Sequence, residues 1–252
     1  MSQLAAMDYV RSLELPESAP QLEGVEAEIE FGAQQEAAVI GAQLAEFSQG
    51  VPAPLRSAVA DCLLLAQLAA NKANAANPDL MAWYRKYVEV LQGTGWLVES
   101  MSLEQREVSN RNAGVHKAIL PALTAMLGPV VAATSLVVSV LKGLQEMDKD
   151  NPWITLFDRA SQHASGAKLQ FGFVAMDPND PAAVQVKLLA VAVDAKRTIT
   201  QVLFFKFSGN TASLKTADTQ LGIAVSRLQG IQQMVADRVQ PFLLDNISKL
   251  DL

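Results

Sequence analysis

Residues 168–207 read KLQFGFVAMDPNDPAAVQVKLLAVAVDAKRTITQVLFFKF, and the parsing of this stretch decides the fold. Three runs, 168–176, 184–193 and 198–207, are rich in Val, Ile, Leu and Phe. They alternate with a period near two or run continuously apolar, which is strand behaviour. DPNDP (177–181) and DAKR (194–197) are short and turn-like, so the spacing predicts three strands in an antiparallel meander. Val202, Leu203, Phe204, Phe205 and Phe207 put large apolar groups on both faces of the third run. A strand of that kind needs cover on both sides.

The cover is expected from helices. From Pro54, the positions Leu55, Ala58, Val59, Cys62, Leu63, Ala66 and Leu68 follow helical spacing until the run breaks at Asn74–Pro78. Leu80, Trp83, Tyr84, Tyr87, Val88 and Leu91 form a second stripe, which Gly93 and Gly95 close. The two make an antiparallel hairpin. A helix over about 34–47 is expected before them, and the alternation in VEAEIEF (25–31) is also compatible with a short strand. WLVESMSLEQREV (96–108) reads as a strand. Between Lys117 and Lys142 no residue is charged, a length near that of a membrane span. Pro121 and the Gly128-Pro129 pair interrupt it, so a buried hairpin of two shorter helices is the expectation. Pro152 starts a short helix through His163. After ASLK, a long amphipathic helix is expected to carry Leu221, Val225, Leu228, Ile231, Val235 and Val239 as far as Pro241. Residues 1–24 are acidic, contain Pro16 and Pro20 and show little periodicity, which predicts a mobile arm ahead of a single domain over 25–252. The fold class that follows is α+β, a central, largely antiparallel sheet flanked by helical hairpins.

Composition excludes several functions. The 252 residues are 50% apolar and 18% charged, with net charge −6, and the 20 basic residues form no dense run. Neither nucleic-acid binding nor attraction to anionic lipid is favoured, so any membrane affinity must be mainly hydrophobic. The lone Cys62 rules out an internal disulfide framework and reads as a buried small hydrophobe. The start, MSQLAAMDYVRSLELPES, lacks the basic and apolar regions of a Sec signal. Cytoplasmic or inclusion storage followed by non-classical release is the matching expectation.

Catalytic chemistry finds no foothold. The only histidines, His116 and His163, lie outside any nucleophile or metal motif and read as surface or capping residues. Asp177 and Asp180 lack the Gly and distant Glu of a calcium loop, and Gly93-Thr94-Gly95 follows a helix rather than a strand. No catalytic residue, metal or cofactor is assigned. Trp83, Tyr84 and Tyr87 admit an interfacial aromatic belt, although helical spacing favours the core.

The order LQFGFVAM, DPNDP, AVQVKLLAVAV, DAKRTIT and QVLFFKFSGNTASL over 168–216 resembles the strand-rich part of the Cyt cytolysins, the cytolytic delta-endotoxins of insecticidal bacteria, and their volvatoxin-like fungal relatives. Gln201-Val-Leu-Phe-Phe205, with Ser208 and Thr211-Ala-Ser213, is its most specific piece. The resemblance implies a sheet between two layers of helical hairpins. It also implies a soluble, non-catalytic toxin that binds membrane phospholipid, moves its hairpins aside and self-assembles in the membrane, with trimming as a route to activation. The candidate membrane-interacting residues are then Phe171, Phe173, Val202, Leu203, Phe204, Phe205 and Phe207 with Leu136, Val137 and Val140, and the hinge candidates are Gly128 and Pro129. The residues alone leave a second reading open. A barrel wall alternates apolar and polar positions, and Gln185, Lys187, Thr200, Gln201 and Lys206 are few for that, so the sheet also suits the buried core of a non-lytic virulence or interaction protein.

Overall fold

The computed structural model describes residues 2–17, 30–75, 79–107, 114–163, 166–194, 199–207 and 213–250. In chain order the elements are α1 (Gln3–Ser12), β1 (Glu36–Ile40), β2 (Gln43–Phe47), α2 (Ala53–Ala73), α3 (Leu80–Gly93) and β3 (Leu97–Glu107). There follow α4 (Val115–Leu127), α5 (Pro129–Thr134), α6 (Leu136–Gly143), α7 (Pro152–Ser161), β4 (Gln162–His163), β5 (Gly166–Met176) and β6 (Ala183–Asp194). The last part holds β7 (Ser213–Ala224), α8 (Val225–Val239), α9 (Leu243–Asn246) and β8 (Ile247–Lys249). The strands form one sheet in the order β3-β7-β6-β5-β2-β1-β8, with β4 paired to β5. All pairings are antiparallel except β2 with β5. The fold class is therefore the expected α+β arrangement.

Helices lie on both faces. Alternate side chains of the strands enter two separate apolar clusters, as the two-residue period of a strand requires. Val184, Val186 and Leu188 of β6 pack with α1, α2, α3 and α8, whereas Leu189, Val191 and Val193 pack with α4, α6 and α7. The α2–α3 hairpin follows the sequence reading closely. Pro52 stands at its entrance, Asn74 closes α2 by donating to the Ala70 carbonyl, and the Asp79 carboxylate accepts from the Met81 N–H to start α3. Trp83, Tyr84 and Tyr87 are core residues, at 4%, 1% and 0% exposure, and not an aromatic belt. Cys62 is likewise buried.

Four expectations need correction. Residues 199–207 are not a strand. They turn irregularly along one helical layer and, among the described residues, form a single isolated bridge, between Lys206 and Gly114. The third meander strand is β7, which pairs with β6 from Ala183↔Ala224 to Asp194↔Ser213. Its Leu221 stands four residues before Val225 and seven before Leu228, so the end of the strand mimics the first turns of the following helix. The helix expected over 34–47 is the β1–β2 hairpin. Gly41 takes the left-handed φ of +55°, and a Cβ there would meet Gln67 Oε1 at 2.6 Å. Because both faces of this hairpin are covered, its burial is continuous and the strand period vanishes from the sequence.

The N-terminal segment is not a free arm over residues 3–12. It is helical, with Ala6 and Val10 buried, and Gln3 Nε2 donates to the Gly230 carbonyl of α8 at 3.0 Å. Arg238 of α8 also donates to the Leu13 carbonyl. The remainder of the expected arm from residue 18, and nearly all of the 25–31 strand, lie outside the described residues. Finally, His116 is not a surface group. It is 4% exposed, and its Nδ1 lies 2.9 Å from the Leu203 carbonyl, which accepts and so requires the proton on Nδ1.

Candidate membrane-interacting layer

The charge-free stretch 118–141 folds as a chain of short helices, α4, α5 and α6, in place of a continuous span. Gly128 breaks α4 from α5 at φ +77° and ψ 159°, a conformation open essentially to glycine, and Pro129 then opens α5 with its fixed φ. Ser135 makes a second break by capping α6, its Oγ accepting from the Val138 N–H at 3.1 Å. The turn at Gly128 carries Val130 and Val131 into solvent, 80% and 48% exposed. Among the described residues, α2 alone is long and apolar enough to cross a bilayer, and most of it is buried in the core.

The ten membrane candidates come together in one cluster. Phe171 and Phe173 point from β5 into the α4–α7 side of the sheet, where they join Val137, Val140, Val202, Leu203 and Phe207. Leu136, Phe204 and Phe205 pack on the same cluster with part of their surface exposed. Among the described residues the exposed large apolar groups are others, Val130 and Val131 on α5, Leu97, Met101 and Leu103 on β3, Leu4 on α1 and Leu244 on α9. Sequence reasoning passed these over because it ranked residues by apolarity, and apolarity alone does not distinguish a turn from a core.

Polar anchors fix the layer at two places. Glu46, on β2 and 5% exposed, sends its carboxylate into the break before α6. Its Oε2 accepts from Ser135 Oγ at 2.6 Å and from the Val137 N–H at 3.0 Å, while Oε1 accepts from Gln35 Nε2 at 2.5 Å. Gln35 also donates to the Thr134 carbonyl at 3.1 Å. A carboxylate at a helix N-terminus meets unpaired N–H groups and the positive end of the helix dipole, so the arrangement is stabilising despite burial. The second anchor is Asp158 of α7, whose Oδ1 accepts from the Val202 N–H at 2.8 Å. Burial pushes its carboxyl up to about 6, partly offset by the Val202 and Leu203 backbone donors. With His116 holding Leu203 from the α4 side, residues 202–203 are tied to the helices.

The opposite layer holds two further displaced groups. Burial raises Asp61 of α2 to about 7. Lys168 of β5 is lowered to about 7 by burial, with its Nζ 2.5 Å from Asn71 Oδ1 and 4.2 Å from the centre of the Trp83 ring. The Asp177–Asp180 turn binds its own backbone, Asp177 accepting from the Asn179 N–H and Asp180 from the Ala182 N–H. No group of three His, Cys, Asp or Glu side chains suited to a metal occurs among the described residues.

No protein-family model matches the chain, and no curated protein does. Among solved structures, the chain is similar to a delta-endotoxin, at 16% identity and a TM-score of 0.39 over 82% of this chain and 91% of that one. It is also similar to the activated Cyt2Ba monomer from Bacillus thuringiensis subsp. israelensis, at 13% identity and a TM-score of 0.31 over 55% and 78%.

Proposed function

We propose that this protein binds membrane phospholipid directly and permeabilises or disrupts bilayers without catalysis, self-assembling on the membrane. The observation that carries this reading is the helical layer over 118–141: it is free of charge, hinged at Gly128 and tipped by the exposed pair Val130 and Val131. Burying two valine side chains in hydrocarbon contributes about 1.5–3 kcal/mol each, enough for reversible first contact and far short of insertion. Deeper engagement requires the layer to leave the sheet and expose Phe171 and Phe173 together with the inner side of α6. Because net charge is −6, the affinity is hydrophobic and does not depend on anionic lipid.

Dye release from phosphatidylcholine vesicles tests the proposal. Leakage is expected, with little change when anionic lipid is added. Absence of leakage across lipid compositions, including after limited proteolysis, overturns it. A second reading, a non-lytic interaction protein on this fold, is favoured by the interior position of seven of the ten membrane candidates. Flotation with liposomes separates the two, since a protein-directed module stays with the soluble fraction.

A further inference from the structure

The two edges of the sheet are unequal. β8 presents 3 residues at one edge, whereas β3 presents 11 at the other. Among the described residues β3 pairs with β7 alone, and none of them takes up the outer row of its backbone N–H and C=O groups, the kind of row that receives another strand. Proteins commonly guard such an edge with Lys, Pro or a bulge. From Leu97 to Leu103, LVESMSL, there is neither Lys nor Pro. A register shift between Val98 and Ser100 is the guard present, and Glu99, within it and exposed, reaches across the sheet surface, where its Oε2 accepts from Gln185 and Gln220. Past that irregularity the ladder runs evenly from Ser100. Met101 and Leu103, 40% and 56% exposed, stand two residues apart and so share one face.

We propose that β3 is a self-association edge, at which two copies of this chain pair antiparallel about Ser102 and join their sheets. The occupant follows from self-complementarity. Ser102 is the midpoint of Leu97–Glu107, and in a two-fold pairing centred there Met101 of each copy opposes Leu103 of the other on the same face. Both apolar pairs leave water while the open backbone groups gain partners. Each copy carries −6, so the pairing opposes long-range repulsion and strengthens as salt screens it. This contact gives the self-assembly of the proposed function a specific surface, and it is tested without lipid, so its failure and the failure of membrane activity remain distinct.

Sedimentation equilibrium of the full chain in lipid-free buffer tests it. The wild type is expected at twice the chain mass, with the dimer fraction rising with salt. Met101→Lys with Leu103→Lys is expected to give a monomer that still unfolds in one cooperative transition, at a Tm lower only by what pairing adds to the wild type, because both side chains face solvent in the single chain. Since Cys62 is buried, Ser102→Cys adds a single accessible thiol. Under oxidised glutathione it is expected to give a disulfide-linked dimer, whereas Ser139→Cys on α6 is not. A wild type that is monomeric at every concentration, a double lysine variant that still dimerises, or equal cross-linking at both cysteine positions overturns the proposal.

Discussion

Replacing Glu46 with alanine removes the carboxylate that binds the α5–α6 break to the sheet. Ser135 Oγ–H and the Val137 N–H, both buried, lose their acceptor, and Gln35 Nε2 keeps only the Thr134 carbonyl. Gln35 retains access to water, so two buried donors carry the cost. At about 1–3 kcal/mol for each unsatisfied buried donor, the loss is about 2–6 kcal/mol. For a chain of this size that lowers Tm by roughly 4–24 °C. Glu46→Gln keeps one acceptor oxygen but turns an amide N–H₂ toward a second donor, so its loss is expected to be about half as large. Calorimetry gives the total, and amide hydrogen exchange gives its place: protection should fall first at Val137 and Val138, before the β5–β6 ladder is affected. In vesicle assays the alanine variant should leak faster, since the layer leaves the sheet at lower cost. A stability change within about 0.5 kcal/mol, the range of an ordinary surface substitution, or exchange that rises uniformly, would show that Glu46 is not the latch.

Three further outcomes follow from the same geometry. Val130→Asp with Val131→Asp should leave the thermal transition within about 0.5 kcal/mol, because both groups are exposed, yet abolish liposome flotation. Asp61, raised to about 7 by burial, is more easily protonated folded than unfolded, so its contribution to stability is fully present below about pH 4 and lost as pH rises through 7. Asp61→Asn should therefore stabilise the protein at pH 8 and flatten the gain otherwise seen on acidification from 7 to 5; an unchanged denaturation profile at pH 8 contradicts this. Deleting residues 2–13 should lower Tm, because it uncovers the seats of Gln3 against Gly230 and of Tyr9 against Gly93, and a transition unchanged by the deletion would show that α1 docks without stabilising the fold.

Helices whose apolar stripe faces one layer were legible in the sequence. Leu63, Tyr84 and Tyr87 stand at helical spacing and are buried as that spacing implies, and the DPNDP turn places β5 and β6 correctly. Legibility failed where burial is two-sided. EAAVI and QLAEF are buried along almost their whole length, so no period of two survives to distinguish a strand from a helix. The run 199–207 failed in the opposite sense. Its Phe and Val content is that of a strand, but its backbone is tied through Val202 to Asp158 and through Leu203 to His116, and it never enters the ladder. Glu46 was invisible because its role depends on a helix start some 90 positions later in the chain, at Ser135 and Val137. The break between α4 and α5 was visible, since Gly-Pro inside an apolar run is a turn signal at any depth.

The most direct test of the central claim is dye release from phosphatidylcholine vesicles by a chain locked between α6 and β2. Residues 199–207 are tied to the α4 and α7 helices, so a bridge from the hairpin to them would lock nothing; one cysteine belongs on α6 and its partner on β2, at a Cα separation of about 4.4–6.8 Å. Native Cys62, buried in the opposite layer, does not compete. The oxidised protein should bind vesicles through Val130 and Val131 without releasing dye, and reduction should restore release to the wild-type rate. Release by the oxidised protein as fast as by the reduced one would contradict the account, because the membrane would then be breached with the layer still on the sheet.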